Sequence, residues 1–323
     1  MKIALLLNAK FSRKFKSVAL LQTTLFLAFY FFTHNVVSYQ KDIKILVLYP
    51  KVKAEYQVIF SSMIQGIKNK SGIPVGSFEV DANTTAETVD SWIRANNGKA
   101  LITLGKQSFN ISTQLTTRIP TITGATVAPQ NKHSGISLMG EPKQFFSYIK
   151  SLNPMVSHVH IVYSKKNSGW LIPHITSAGI EHQIKVTTAI ADDPQQAVLA
   201  FQNILVNAKG SVDALWLLMD RVIPDNAILP SILETAWKEK LIVFSSNPGH
   251  VQRGILFALY PDYEQMGHEL AMLAIKTQSH QGANNIYPTK SLNAAINTRT
   301  ASHLGLHPTP HTLQRFNKIF PTP

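Results

Sequence analysis

Short apolar runs alternate with amphipathic segments of helical period along most of this chain, and that alternation decides its fold class. Lys44–Pro50 (KILVLYP) is too short for a helix and ends at a polar turn, so it reads as a buried strand. Tyr56–Lys70 follows with Ile59, Phe60, Met63, Ile64 and Ile67 on one helical face. Val75–Asp81 is a second strand. Thr84–Asn96 is a second helix, with Thr84 at the N-cap and Glu87 at capping-box spacing. Lys99–Gly105, Pro120–Ala125 and Ser134–Met139 read as further strands, with a short helix at Ser108–Thr117. Strands alternating with helices at this spacing predict an α/β fold built on a doubly wound parallel sheet.

The pattern then restarts. Helices are expected at Pro142–Leu152, Ile172–Ile180, Pro194–Asn207 and Ile228–Lys240. Strands are expected at His158–Ser164, Lys185–Ala191, Ala214–Asp220 and Leu241–Asn247. Two consecutive series of similar size, with no Gly/Ser linker between them, predict two similar lobes. Tyr263–Thr277, Thr298–Leu304 and Thr312–Ile319 read as helices and Ala294–Asn297 as a short strand, while Pro308, Pro310, Pro321 and Pro323 forbid one continuous C-terminal helix.

Composition narrows the chemistry. With 45% hydrophobic and 15% charged residues in 323, the chain is neither disordered nor fibrous. It has no cysteine, which removes disulfides, thiolate nucleophiles, Cys-ligated zinc, iron–sulfur clusters and a lipid on an N-terminal Cys. The net charge is +13, but Lys2, Lys10, Arg13, Lys14 and Lys16 all lie before residue 39, where no acid occurs. Beyond residue 40 the cations are scattered, with nothing longer than pairs such as Lys165-Lys166, so the reading is a solvated basic surface and no nucleic-acid partner.

The first 38 residues look like an address. A basic stretch from Lys10 to Lys16 precedes an uncharged segment, Ser17–Gln40, centred on LFLAFYFF. Val36-Val37-Ser38 offers small residues for signal peptidase, with cleavage after Ser38. The same segment is just long enough to span a bilayer, so residues 17–38 read either as a cleaved signal or as an inner-membrane anchor. Either way the body is expected outside the cytoplasm, in the periplasm.

No G-x-G-x-x-G, Walker loop, G-x-S-x-G elbow or H-E-x-x-H occurs, so no enzyme and no cofactor is expected. His158 and His160, two apart on a strand, share a face, while Pro308 and Pro310 break the alignment of His303, His307 and His311. With no acidic residue close by in sequence, both sets read as surface or edge histidines and no metal is expected. In open α/β sheets ligands sit beyond the carboxyl ends of strands. Those positions nominate Gln107, Ser108 and Thr126 from the first half of the chain, and Tyr163, Ser168, Asp220, Arg221 and Asn247 from the second. Tyr163 offers a flat face, and Asp220 beside Arg221 offers opposite charges. The alternative is that these are ordinary strand-end turns, with Asp220 capping the next helix.

The stretch Asp213–Lys276 carries a longer pattern: a strand ending in Asp, a strand ending in a small polar loop, then VQRGILFALYPDYEQMG. With the closing segment Ala295–Pro308 (AINTRTASHLGLHP), it resembles the tryptophan/tyrosine-type substrate-binding proteins of ABC transporters. The resemblance rests on Val251, Arg253, Gly254, Leu256, Ala258, Leu259, Asp262, Tyr263 and Gly267 in order. It implies a type I periplasmic-binding fold whose two lobes are joined by three crossings, near 137–141, 251–260 and 290–297. The first lobe would hold 42–138 and about 255–290, the second 139–254 and about 293–323. It implies an exported protein that clamps a small, amino-acid-like molecule between the lobes and delivers it to a membrane permease. An extracytoplasmic sensor or adaptor for a membrane signalling protein is the alternative. The chain departs from the family pattern at Asn247, at Ala128-Pro129 and at Arg221-Val222, which removes expected carboxylates and adds a guanidinium.

Overall fold

The computed structural model describes residues 44–127, 133–210, 212–223, 225–279 and 285–321. The expected leader or anchor, the expected cleavage after Ser38, and Ala128-Pro129 lie outside the described residues.

The first series forms strands β1 (Ile45–Pro50), β2 (Val75–Val80), β3 (Ala100–Leu104), β4 (Thr121–Thr126) and β5 (Ser134–Gly140). Between them lie helices α1 (Ala54–Ser71), α2 (Ala86–Ala95) and α3 (Gly105–Ser112). Ile45, Leu46, Val47 and Leu48 are all fully buried, as are the residues of β3. A strand covered on both faces needs no polar alternation, which is why these runs read as continuously apolar. The cap of α2 is Thr85, one residue later than the spacing predicts, because the Thr84 hydroxyl is already bonded to Asp81. The buried Asp90 of α2 accepts from the backbone N–H and hydroxyl of Thr116 and from the N–H of Thr117. Burial alone raises this carboxyl, but those donors outweigh it and hold its pKa well below the carboxylate range.

The second series supplies α4 (Pro142–Leu152), β6 (His158–Tyr163), α5 (Lys165–Ser168), a 3-10 turn at Gly169–Leu171, and α6 (Ile172–Glu181). It continues with β7 (Lys185–Ile190), α7 (Pro194–Asn207), β8 (Asp213–Leu217), α8 (Asp225–Lys238), β9 (Ile242–Ser245) and α9 (Pro248–Gln252). Then come β10 (Phe257–Pro261), α10 (Tyr263–Ser279), β11 (Ile286–Thr289), β12 (Leu292–Asn297), α11 (Thr298–His303), α12 (Pro310–Leu313) and β13 (Lys318–Phe320).

These strands form two sheets, ordered β11-β5-β4-β3-β1-β2 and β13-β12-β10-β9-β8-β6-β7. The first is parallel throughout; in the second only β10 and β12 run antiparallel. The second core centres on an aromatic group. Phe145 lies 4.3 Å from Trp216, and Phe244 and Phe257 stack at 5.0 Å between ring centroids. The indole N–H of Trp216 is satisfied by the Ser246 hydroxyl at 3.2 Å.

Sheet membership differs from the expectation in the C-terminal third. The resemblance puts about 255–290 in the first lobe, with a crossing near 251–260. Instead the chain stays in the second sheet through Pro261, because β10 pairs with both β9 and β12. The chain then leaves along α10, which packs on α1, and returns through β11 to β12. The connecting segments lie side by side: the Glu141 N–H bonds the Thr289 carbonyl at 2.9 Å, and the Asp262 N–H bonds the Ser291 carbonyl at 3.0 Å. At the tail, the helix expected over 312–319 is one turn, α12, followed by β13 on the edge of the second sheet.

Candidate functional site

A doubly wound sheet opens a crevice where the strand order reverses, because the helices after neighbouring strands leave on opposite faces. Here the reversals fall between β1 and β3 in the first sheet, and between β6 and β8 in the second. The segments just past β3, β6 and β8 line one cleft of about 940 Å³, with the end of β4 and the turn after β7.

Lys106 and Phe109, on the first turns of α3, form one wall with Thr123, Ala125, Thr126 and Val127 from β4. Ala125 sits in the left-handed region at φ 56°, where the β4–β5 register slips between Thr123 and Thr126. A non-glycine residue held there costs on the order of 1 kcal/mol, and the bulge turns the strand end into the cleft. The other wall is Ser164 to Asn167, the indole of Trp170, Asp192 and Arg221.

Asp220 stands behind this second wall and is only 7% exposed. One carboxylate oxygen accepts from the Ser164 N–H at 2.9 Å and from the Ser168 hydroxyl at 2.5 Å. The other accepts from the Asn167 amide and the Val222 N–H, both at 3.1 Å. Its four donors come from the segments after β6 and β8, so the carboxylate staples the two edges of the second crevice together. It is engaged by the protein and does not reach the cleft as a free charge.

Of the eight nominated residues, Thr126 and Arg221 line the cleft. Gln107 and Ser108 lie on α3 beside the lining residues Lys106 and Phe109; Ser108 is fully buried with its hydroxyl unpartnered. Tyr163 closes β6 as part of the second core. Ser168 is a ligand of Asp220. Asn247 caps α9, accepting from the Gly249 N–H at 2.9 Å, and its amide approaches His250. The lining residues outside the nominated eight include Lys106, Phe109, Lys165, Lys166, Asn167, Trp170 and Asp192. Lys106 and Asn167 fall inside strand-end segments that the sequence does flag, so proximity to the strand end was the available signal.

At the opposite end of the second sheet the histidine reading needs correction. His158 is in register with Asp213 across β6 and β8, so an acid does reach the pair. Asp213 Oδ1 lies 3.0 Å from His158 Nδ1 and 3.6 Å from His160 Nε2. Its other oxygen accepts from the Lys209 N–H at 2.6 Å. Burial, then the neighbouring His158, push the His160 imidazole below its ordinary pKa against the pull of Asp213. Among the described residues this is the group of three whose ligand atoms, all within 4.8 Å of one another, could hold a metal ion.

The family model of the ABC transporter substrate binding protein matches residues 99–315, well over half of the chain and both walls of the cleft. The chain belongs to the ABC transporter substrate-binding protein family. No curated protein sequence matches it. Among solved structures, it is similar to a ligand-free, open substrate-binding protein with adhesive properties from Clostridium difficile, at 14% identity and a TM-score of 0.58 over 85% of this chain and 98% of that one. An ABC domain in complex with L-Trp from Streptococcus pneumonia gives 16% identity and a TM-score of 0.53, covering 86% and 99%. A conserved domain protein from Vibrio cholerae gives 20% identity and a TM-score of 0.52, covering 86% and 100%. At these identities the likeness is one of fold, the type I periplasmic-binding arrangement. Among the described residues, no helix of this substrate-binding protein is long and apolar enough to cross a membrane.

Proposed function

We propose that this chain is the exported receptor of an ABC importer, which takes up a small solute between its two sheets and presents it to a membrane permease. The observation that carries the reading is the cleft, whose walls come from strand ends of both sheets. A solute touching both walls is held better when they approach, so its binding energy favours the closed arrangement. The connecting segments, paired at Glu141–Thr289 and Asp262–Ser291, are few enough and close enough together to act as the hinge. The uncharged segment at Ser17–Gln40 behind a basic stretch supports export.

Native mass spectrometry of protein purified from periplasm tests this. We expect a population carrying one small molecule, released when the protein is unfolded. A molecule that survives equally on protein with a tryptophan filling the cleft at Thr126 would contradict the assignment of the site.

A further inference from the structure

We infer that the solute is an organic anion with an apolar body, and that no ammonium group is needed for its recognition. This rests on the solute-binding reading of the cleft and names the chemistry that the cleft selects. Lys106 projects from the first-sheet wall, and Lys165, Lys166 and Arg221 from the second; against these four cations the lining holds, among the described residues, one carboxylate, Asp192. None of the four makes an ion pair or hydrogen bond with another described residue. Unpaired cations converging on a concave site from both walls raise the local concentration of anions and favour closure around one.

The neutral groups point the same way. Trp170 Nε1 and Thr126 Oγ1 are buried and have no hydrogen-bond partner among the described residues. An indole N–H only donates, so any ligand atom that meets it as the walls close would be an acceptor. Phe109, Val127 and Leu138 add an apolar surface for the rest of the molecule. The ammonium of a zwitterion is held most strongly by a carboxylate. Asp220, buried behind the second wall, already accepts from four protein donors, and Asp192, exposed like the four cations, is outnumbered by them.

Four probes sharing a phenyl ring separate the possibilities: 3-phenylpropionate, phenylalanine, phenethylamine and 3-phenylpropanol. Binding is followed through the Trp170 indole N–H signal in nitrogen-15 NMR, assigned by its loss in Trp170→Phe. We expect 3-phenylpropionate to shift this signal saturably, with the amine and the alcohol weaker by roughly tenfold or more. Adding salt should weaken the anion alone, and Lys106→Ala with Arg221→Ala should weaken it by roughly tenfold or more. Phenylalanine should bind no better than the propionate. Phenylalanine tighter by roughly tenfold, an alcohol as good as the anion, or no shift with the anion up to about 10 mM would each overturn the inference. The solute-binding reading fails separately: a zwitterion or neutral molecule retained in native mass spectra sinks only the anion assignment, whereas a cleft that retains nothing and answers no probe sinks both.

Discussion

Replacing Asp220 by alanine is expected to lower the stability of the folded protein by about 3–5 kcal/mol and to weaken solute binding at the same time. The carboxylate is the common acceptor for two backbone N–H groups, the fully buried Ser168 hydroxyl and the Asn167 amide. Removing it leaves those donors facing one another with no acceptor and little water. For a body of this size the loss corresponds to a fall in melting temperature of roughly 5–9 °C. Affinity falls because Ser164 and Asn167, which line the cleft, are held in place by this group. Asp220→Asn keeps the shape and two lone-pair positions, so it should recover part of the stability. Thermal unfolding with calorimetric titration decides the role. A variant that melts like the wild type yet binds roughly 30-fold more weakly would mean that Asp220 contacts the solute itself.

The second large effect lies where α10 crosses α1. A Cβ added at Gly267 would stand 2.1 Å from the Met63 carbonyl oxygen, and one at Gly66 would stand 1.9 Å from that of Glu264. Both obstacles are backbone, so no side-chain rotation relieves them; the helices must separate, and the buried Met63, Ile67, Met266 and Leu270 lose contact. Overpacking by one methyl usually costs about 1–3 kcal/mol, and a clash with backbone belongs at or above the top of that range. Gly267→Ala is therefore expected to destabilise by about 3 kcal/mol or more, read as an earlier midpoint in urea. Gly72→Ala is the control. It closes α1 at φ 58° with nothing within 4 Å of the added carbon, so only the left-handed backbone is penalised, by about 1 kcal/mol. Equal losses in the two variants would show that the α1–α10 crossing is looser than the backbone distances indicate.

The parts of the fold legible in the sequence are those whose signal is local. Runs such as Ile45–Leu48 and Ala100–Leu104 are apolar because helices cover both faces, and their length sets them apart from helices. The short strands β10 and β11 are not legible because their partners are remote: Phe257 pairs with Ile296 and Phe244, and Tyr287 with Ile136; β13 has only three residues, too few for a pattern. The same limit hid Asp213 from His158, 55 positions away in sequence and directly opposite in register.

The cleft was legible by segment and poorly by residue. The rule that ligands lie beyond strand ends finds Gly105–Ser108 and Ser164–Ser168. Which side chain of each segment faces the cleft depends on how the turn leaves the strand. Gly105 takes φ 78°, after which Lys106 lies on the outside and Ser108 in the interior. Charge singles out Asp220 in the sequence, but its geometry gives that charge to the protein's own donors, a fact no spacing reveals.

Hydrogen–deuterium exchange, comparing protein that carries its co-purified solute with the same protein stripped by unfolding and refolding, tests the central claim most directly. A solute clamped between the two sheets should slow exchange in both Gly105–Asn110 and Ser164–Trp170, one segment from each wall. The far end of the second sheet, around His158–His160, should exchange alike in both samples. Protection of one wall alone, or of neither while the solute is bound, would contradict the account.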